Sequence, residues 1–263
     1  MARPVIAVLT DFGTRDHYAG TMKGVALGIC PDATFVDITH DIPPHDVRAG
    51  ALELAAACPY FPAGTIFLVV IDPGVGSTRR SIAAEAGDYR FVAPDNGVLT
   101  LVFRENSPRR VVELTERRYA RPTISRTFEG RDRFAPAAAW LATGIDLSEL
   151  GGALTSWQTL VMPEPALRGD QIIGEVLRVD RFGNLVTNVD RRTFEEFTGG
   201  GDVTIVVGSQ ELNLVVATYA EAEPGAVCAL FSSSGCLEVA VNGGSAAEQL
   251  NLRRGASVTV SRR

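Results

Sequence analysis

The sequence is poor in the residues that build metal sites. Its 263 residues include three histidines and four cysteines. The cysteines (Cys30, Cys58, Cys228 and Cys236) show neither a CxxC motif nor the Cys/His spacing of a zinc site. Buried free thiols are the simpler interpretation. The chain therefore predicts no metal centre and no cofactor, and a cytoplasmic location is the default expectation.

Lysine and long apolar runs are also scarce, and acidic residues outnumber basic ones. The formal net charge is −6 at neutral pH, and Lys23 is the only lysine. A nucleic-acid binder needs a basic surface to displace counterions from phosphates, so the charge argues against that class. The chain has no apolar run of about 18 residues, the length that a membrane helix needs, and Arg3 leads directly into a strand-like segment. The sequence therefore predicts neither a membrane span nor a signal peptide.

The pattern of apolar residues divides the chain into two parts. The first part alternates strand-like runs such as Val5–Leu9 and Thr65–Ile71 with helix-like stretches such as Asp46–Ala57. This alternation predicts an α/β N-terminal domain with a mostly parallel sheet. After a proline-rich linker at 161–165, short alternating runs predict a small all-β C-terminal domain, a barrel or sandwich. The predicted domains span residues 1–162 and 171–263.

Polar residues follow the predicted buried strands of the first part. Asp11 comes directly after the first strand, and the third strand leads to Asp72 and a Pro-Gly-Val-Gly turn before Arg79. Open α/β sheets bind ligands at the carboxyl ends of such strands, so Asp72 and Arg79 can face one pocket. A hairpin turn with a solvated arginine is the alternative. Asp11 could accept both hydroxyls of a ribose, or it could cap the helix that follows.

Other polar segments also allow more than one interpretation. Asp180 and Asn184 could bind the ammonium and carboxyl groups of an amino acid, but their segment is also an ordinary turn sequence. Glu129 could interact with the N-terminus of the helix after it. The turns at Ser233 and Asn242 are polar turns by default and offer a ligand backbone donors at best.

Seven segments, taken together and in order, resemble the S-adenosyl-methionine hydroxide adenosyltransferase family, the relatives of fluorinase and chlorinase. The segments are Val5–Gly13, Asp37–Ile42, Asp72–Gly76, Pro94–Gly97, Gly130–Ala138, Phe182–Asn184 and Leu237–Gly244. One of these motifs alone would be a weak signal. Seven in register cover nearly the whole chain.

The resemblance implies a fold, an assembly and a reaction. Family members join an N-terminal α/β domain to a C-terminal β domain and form homotrimers. They hold S-adenosyl-methionine between the N-terminal domain of one subunit and the C-terminal domain of the next. The implied reaction is hydrolysis of S-adenosyl-L-methionine to adenosine and L-methionine, by in-line attack of an activated water on C5′. It needs no cofactor, and no nucleic acid or membrane takes part.

The resemblance also implies roles for individual residues. Asp11 would hold the ribose hydroxyls, and Asp180 with Asn184 would hold the methionine end. In hydroxide-using members an Asp, an Arg and a His handle the water. Asp72 and Arg79 match the first two positions, and halide-using relatives lack both. The remaining substrate-binding candidates are Asn96, Phe182, Ser233 and Asn242.

The chain departs from the family at the third position of this triad. Hydroxide-using members usually read His-Gly-Arg-Asp, whereas this chain has Glu129-Gly130-Arg131-Asp132. Two carboxylates beside one arginine titrate as a coupled set. Glu129 is then the base, an orienting group for Asp72, or a bystander. The alternatives to a hydrolase are a halide-using adenosyltransferase and a protein that binds S-adenosyl-methionine or adenosine without turnover.

Overall fold

The computed structural model describes residues 3–263, which divide into two compact units between Val161 and Met162. The strands of the N-terminal unit are β1 (Val5–Thr10), β2 (Thr34–Thr39), β3 (Ile66–Val70), β4 (Ser81–Ala86), β5 (Tyr89–Pro94) and β6 (Pro108–Glu113). Its α-helices are α1 (Tyr18–Leu27), α2 (Val47–Ala57), α3 (Thr100–Glu105) and α4 (Ala135–Ala142).

The N-terminal unit is built on one mixed sheet, with the strand order β2-β1-β3-β5-β4-β6 among the described residues. Helices α1 and α2 separate the first three strands, so β1 pairs in parallel with β2 and β3, and β3 continues in parallel to β5. The short Gly87-Asp88 turn instead makes β4 and β5 an antiparallel hairpin, and β6 joins the outer edge of β4. Strands β1 and β3 therefore lie side by side near the middle of the sheet.

Both faces of this sheet are buried because β1 and β3 are apolar on both sides. Ile6 and Val8 lie in a core with residues of α1 and α4, whereas Leu9 lies in a second core with residues of α2 and α3. Two-sided burial is typical of parallel strands, and each fully buried Leu or Ile stabilises a fold by roughly 1.5–3 kcal/mol. The sheet is thus a rigid support for the turns at its carboxyl edge.

The C-terminal unit consists mainly of antiparallel strands. They are β7 (Ala166–Arg168), β8 (Gln171–Val179), β9 (Leu185–Asp190), β10 (Val203–Val207), β11 (Gln210–Leu212), β12 (Val227–Phe231), β13 (Cys236–Val241) and β14 (Ser257–Arg262). Two short helices, α5 (Arg191–Thr198) and α6 (Ala246–Gln249), complete this unit within the described chain.

The strands of the C-terminal unit form a curled sheet. Their order is β11-β10-β14-β8-β9-β13-β12, and β7 pairs with β8. A bridge between Val215 and Ala229 brings the two ends of the sheet together around a common apolar core. The predicted fold class, an α/β unit followed by a β unit close to a barrel, is confirmed. Across residues 3–263, no helix has the length and apolar character that a membrane span requires.

Candidate active site

Asp72 and Arg79 meet across the turn between β3 and β4. The turn reverses at Gly76, whose φ of +76° is a conformation that favours glycine. The reversal places the Arg79 side chain next to that of Asp72. Its Nε donates to Asp72 Oδ1 at 2.7 Å, and its Nη2 donates to Asp72 Oδ2. The two side chains are only 10% and 5% exposed. This is a bidentate ion pair with little solvent around it, and the alternative of a solvated turn is wrong.

Glu129 joins this pair from a distant part of the chain. Arg79 Nη2 donates to Glu129 Oε2 at 2.7 Å, and the Glu129 side chain is 13% exposed. Glu129 immediately precedes a wide turn of π-type, Gly130–Phe134, that leads into α4. Phe134 is fully buried, and the Arg79 guanidinium carbon lies 5.2 Å from the centre of its ring. Arg79 is thus held by two carboxylates and an aromatic face.

Ser81, at the start of β4, completes the cluster and was not predicted. Arg79 Nη1 donates to Ser81 Oγ at 2.8 Å, and Ser81 Oγ donates to Glu129 Oε2 at 3.2 Å. The sequence contains no signal for this contact beyond the position of a hydroxyl just after the two arginines. We call Asp72, Arg79, Ser81 and Glu129 the acid–arginine cluster.

The acid–arginine cluster carries one positive and two negative charges. Burial alone would lower the pKa of Arg79, but the hydrogen bonds and charges of Asp72 and Glu129 outweigh it and raise that pKa above its ordinary value. Arg79 therefore stays charged at any pH at which the protein is folded. A permanent cation between two carboxylates can fix the direction of a polar ligand such as water.

Asp11 lies in the turn after β1 and does not cap a helix. Its Oδ2 accepts a hydrogen bond from the backbone N–H of His45 at 2.8 Å. The residue at the cap position of α1 is His17, whose side chain makes no cap hydrogen bond. Of the two interpretations of Asp11, the cap is therefore wrong. Asn96 also lies near the end of β3: its Nδ2 donates to the Ile71 carbonyl oxygen at 2.8 Å.

Asp180 and Asn184 are brought together in the C-terminal unit. Asn184 Nδ2 donates to Asp180 Oδ2 at 3.0 Å, while Asp180 Oδ1 accepts from the backbone N–H groups of Phe182 and Asn184. These contacts make a tight turn and at the same time present a carboxylate beside an amide. Phe182, between them, is 76% exposed. Phe182 also lines an open pocket, and this makes its ring a candidate ligand contact.

An open pocket of about 640 Å³ adjoins this turn. Phe182 and Asn184 line it together with Tyr219, Val241, Gly243, Gly244 and Ser245. Asn242 lies within that lining segment, but its Nδ2 donates to the Ala222 carbonyl oxygen at 2.7 Å. Ser233 is exposed in its own turn and does not line the pocket.

Tyr219 was not predicted to line this pocket. Its hydroxyl donates to Glu238 Oε1 at 2.7 Å, and Glu238 is 3% exposed. Tyr219 is the only aromatic residue between Phe197 and Phe231, which is the one sequence signal that could have indicated it.

A metal centre is not formed by the residues that the structure describes, since no group of three or more His, Cys, Asp or Glu side chains is arranged to hold an ion. The polar clusters instead offer carboxylates, an amide and a guanidinium at strand ends. With the fold, they define the class of protein: a two-unit α/β and β enzyme for a polar small molecule.

Comparison with known proteins identifies the family. The model of the SAM (S-adenosyl-L-methionine) hydroxide adenosyltransferase N-terminal domain matches residues 6–151, and that of the C-terminal domain matches residues 174–259. The chain therefore belongs to the SAM hydroxide adenosyltransferase family, and the resemblance seen in the sequence is confirmed.

Individual relatives match over nearly their full length. An (R)-S-adenosyl-L-methionine hydrolase of Thermus thermophilus is 40% identical over 264 residues, which cover 97% of this chain and 98% of the relative. A fluorinase of Nocardia brasiliensis is 32% identical over 290 residues, covering 98% and 97%. A crystal structure of a conserved protein from Thermotoga maritima superposes with a TM-score of 0.93 at 38% identity, covering 98% of this chain and 100% of that one.

Proposed function

We propose that the protein hydrolyses S-adenosyl-L-methionine to adenosine and L-methionine. The observation that carries this proposal is the acid–arginine cluster: a water-sized polar ligand at the end of β3 would meet two carboxylates and a permanently charged guanidinium. Relatives named as hydrolases of this compound are up to 40% identical to the chain over nearly its full length.

The chemistry requires little of the protein beyond placing and deprotonating a water. The oxygen of water attacks C5′ while the bond from C5′ to sulfur breaks, and the electron pair of that bond passes to the sulfonium. Methionine leaves as a neutral thioether, so no general acid is needed. One proton of the attacking water must be accepted by a base. The main contributions of the protein are therefore in-line positioning and a base at the right place.

Glu129 is better placed than Asp72 to be that base. Both Asp72 oxygens accept hydrogen bonds from Arg79. The two hydrogen bonds found for the Glu129 carboxylate, from Arg79 and Ser81, both go to Oε2. Oε1 is thus left to accept a proton from water. In this mechanism Asp72 anchors Arg79, and Arg79 with Ser81 orients the base.

The substrate-binding roles follow the family. Asp11 binds the ribose hydroxyls, and Asp180 with Asn184 binds the methionine end. The family resemblance adds Asn96, Phe182, Ser233 and Asn242 as further contacts, of which Phe182 lines the open pocket of the C-terminal unit and Ser233 does not. Polar hydrogen-bonding groups at both ends of the substrate would fix C5′ between them.

The four cysteines are free, which supports a cytoplasmic location, as proposed from the sequence.

The assembly that we propose is the family's homotrimer, with each substrate bound between the N-terminal unit of one copy and the C-terminal unit of the next. The isolated chain supports this in one respect: Phe182 is exposed beside an open pocket that a neighbouring copy could cover. Light scattering on the purified protein would measure the molar mass. A monomer at the enzyme concentrations used for assay would contradict the proposed assembly.

The experiment that tests the function is a product analysis. Purified protein is incubated with each sulfonium epimer of S-adenosyl-L-methionine, with and without chloride, and nucleosides are separated by chromatography. Adenosine with equimolar methionine in both buffers is the expected result. A halogenated adenosine would place the protein with the halide-using relatives, and binding without any product would make it a binding protein.

Variants of the cluster test the mechanism. Glu129→Gln should lower kcat by roughly 10²–10⁴-fold, the usual effect of losing a general base, with KM nearly unchanged. Asp95→Asn is the matched control, because Asp95 also holds an arginine of the same hairpin: Arg80 Nε donates to its Oδ2 at 2.8 Å. Equal losses of kcat in both variants would mean that Glu129 acts only through the fold.

A further inference from the structure

The segment that follows β2 makes three polar contacts with the turn that carries Asp11. The imidazole Nδ1 of His40 lies 2.8 Å from the hydroxyl oxygen of Thr10. The His40 carbonyl oxygen accepts from the Gly13 backbone N–H at 2.7 Å, and Asp11 Oδ2 accepts from the His45 N–H at 2.8 Å. Three contacts from residues 40–45 therefore fix a turn of four residues. The His40 imidazole provides the one contact that joins two side chains.

His40 also belongs to a chain of polar groups that runs from the buried Thr10 to the more exposed Asp37 and Lys23. It is 6% exposed, and its Nε2 lies 3.1 Å from Asp37 Oδ1. That contact is close but is not an aligned hydrogen bond, because Nε2 has no hydrogen-bond partner among the described residues. Asp37 Oδ2 in turn binds Lys23 Nζ at 2.5 Å. A carboxylate, an imidazole and a hydroxyl thus follow one another, as in a nucleophilic triad.

This arrangement does not supply a nucleophile. Thr10 is completely buried, so its hydroxyl cannot meet a substrate. The hydroxyl oxygen already accepts from the Phe12 backbone N–H at 3.3 Å. Its proton is then free to be donated to His40 Nδ1, which leaves the N–H on Nε2 facing Asp37; we assign this tautomer from the network. The contacts therefore end at the Thr10 hydroxyl inside the turn. Through the Phe12 N–H, that hydroxyl holds the backbone of the turn.

We propose that His40 is a positioning residue for the ribose: through Thr10 it holds the Thr10–Gly13 turn in the conformation that presents the Asp11 carboxylate. The proposal rests on the proposed function in taking Asp11 as the ribose contact. Asp37 and Lys23 keep the imidazole in place from its other side. A loosened turn would weaken the binding of substrate, whereas the acid–arginine cluster would keep its geometry.

Two substitutions of similar size distinguish the contacts of the two imidazole nitrogens. His40→Asn places an amide oxygen where Nδ1 lies and can still accept from Thr10. His40→Gln places its amide where Nε2 lies and loses that contact. Loss of one buried hydrogen bond corresponds to roughly a 5–10-fold change in an equilibrium. We expect KM to rise about that much in His40→Gln with kcat within about twofold, and His40→Asn to keep the KM of the wild type within about twofold.

A double-mutant cycle tests whether the effect passes through Thr10. Thr10→Val should raise KM at least as much as His40→Gln does, because it also removes the acceptor of the Phe12 N–H, and the double variant should be no worse than Thr10→Val alone, because His40→Gln then has no contact left to remove. His17→Gln is the matched control: His17 Nδ1 lies 2.9 Å from Thr21 Oγ1, the same pair of groups on the exposed side of α1. It should leave KM unchanged.

Amide exchange gives a readout that needs no substrate. The Phe12 and Gly13 amides should exchange faster in His40→Gln and Thr10→Val but not in His40→Asn. Equal KM and equal exchange in His40→Gln and the wild type would overturn the proposal, as would an additive double variant. If the wild type formed no adenosine, the proposed function would fail. The exchange rates would still decide whether His40 holds the turn.

Discussion

At the scale of single residues, the identity of residue 129 distinguishes this chain from the usual hydroxide-using pattern. The carboxylate of Glu129 accepts two hydrogen bonds, from Arg79 and from Ser81, on one oxygen. A neutral imidazole at this place has one acceptor nitrogen and could take only one of those donors well. The hydrogen bonds from Arg79 and Ser81 therefore hold a carboxylate base next to Arg79, at the position where the usual pattern has a histidine.

Replacing Glu129 by histidine should move the pH dependence of the reaction. An imidazole ordinarily has a higher pKa than a carboxyl group. As the pH falls, a histidine base is therefore protonated, and loses its function, earlier than a carboxylate base does. We expect Glu129→His to keep measurable turnover, with the acid limb of kcat displaced toward neutral pH. The measurement is kcat between about pH 4.5 and 8. An acid limb at the same place in both proteins would exclude residue 129 as the titrating base.

Glu238 allows a prediction about stability. Burial chiefly, and the nearby charge of Asp180, raise the pKa of Glu238, although Tyr219 donates to it. The folded chain thus binds the proton more tightly than the unfolded chain. This contribution to stability is complete below the ordinary carboxyl pKa and is lost as the pH rises toward the raised value. Glu238→Gln keeps an acceptor for Tyr219 but never becomes charged.

We therefore expect Glu238→Gln to be more stable than the wild type at neutral pH and to lose this advantage as the pH falls to the ordinary carboxyl range. Urea unfolding in both pH ranges measures it. Glu85→Gln is the control of opposite sign: the hydrogen bond from Arg110 lowers the pKa of Glu85, so its contribution is present at neutral pH and lost as the pH falls. The same pH trend in both variants would be inconsistent with this assignment.

At the scale of elements, the turn between β3 and β4 is coupled to the segment that carries Glu129. A Cβ added at Gly76 would lie 2.3 Å from the Arg126 carbonyl oxygen, and the Arg126 guanidinium donates to the Gly76 carbonyl oxygen at 3.2 Å. The two segments approach each other only because Gly76 has no side chain. The positions of Arg79 and Glu129 therefore depend on the same close contact.

Gly76→Ala should accordingly harm both stability and activity. Gly64→Ala is the matched control, because Gly64 has a φ of +84° but nothing within 4 Å of its would-be Cβ. The control should cost roughly 1–3 kcal/mol of unfolding free energy, from backbone strain alone, and keep its kcat. Gly76→Ala should cost more and lower kcat at temperatures where it is folded. Similar kcat values would show that the turn is not coupled to the Glu129 segment.

The elements that could be predicted are those with a strong periodic pattern. Strands β1 and β3 are unbroken apolar runs, and both could be located from the sequence. Strand β6 had no such pattern, since it is an edge strand that begins with a proline and carries two arginines. Helix α5 has two buried phenylalanines three positions apart and a cap from Asp190, which accepts from the Thr193 N–H, but it is only eight residues long and follows directly on a strand.

The site was predictable to a similar extent. The Asp72–Arg79 pair could be expected because the two residues flank one turn, seven positions apart. Glu129 is fifty residues from Arg79, and only the family resemblance indicated it. For Ser81 and Tyr219 the sequence offered only a hydroxyl after two arginines and an isolated aromatic residue, and neither feature indicates what the side chain contacts. Spacing indicates contacts within a turn, whereas contacts between turns require the fold.

At the scale of the whole molecule, the proposed catalytic and binding residues are divided between the two units. The acid–arginine cluster and Asp11 belong to the N-terminal unit, whereas Asp180, Phe182 and Asn184 belong to the C-terminal unit. In the trimer that we propose, a chain with a defective N-terminal unit still offers an intact C-terminal unit to its neighbour. Two inactive variants can therefore rebuild a complete site between them.

We expect Asp72→Asn and Asp180→Ala chains, each inactive alone, to regain activity in mixed trimers. If the two chains carry different affinity tags, are co-expressed and are purified over both tags in succession, every cyclic trimer contains both variants. One of its three junctions then combines two intact units, so the rate should return to about one third of the wild-type rate. Trimers with both tags but a single variant are the control and should stay inactive. Mixed trimers without activity would mean that each site is built within one chain, and would overturn the proposed arrangement.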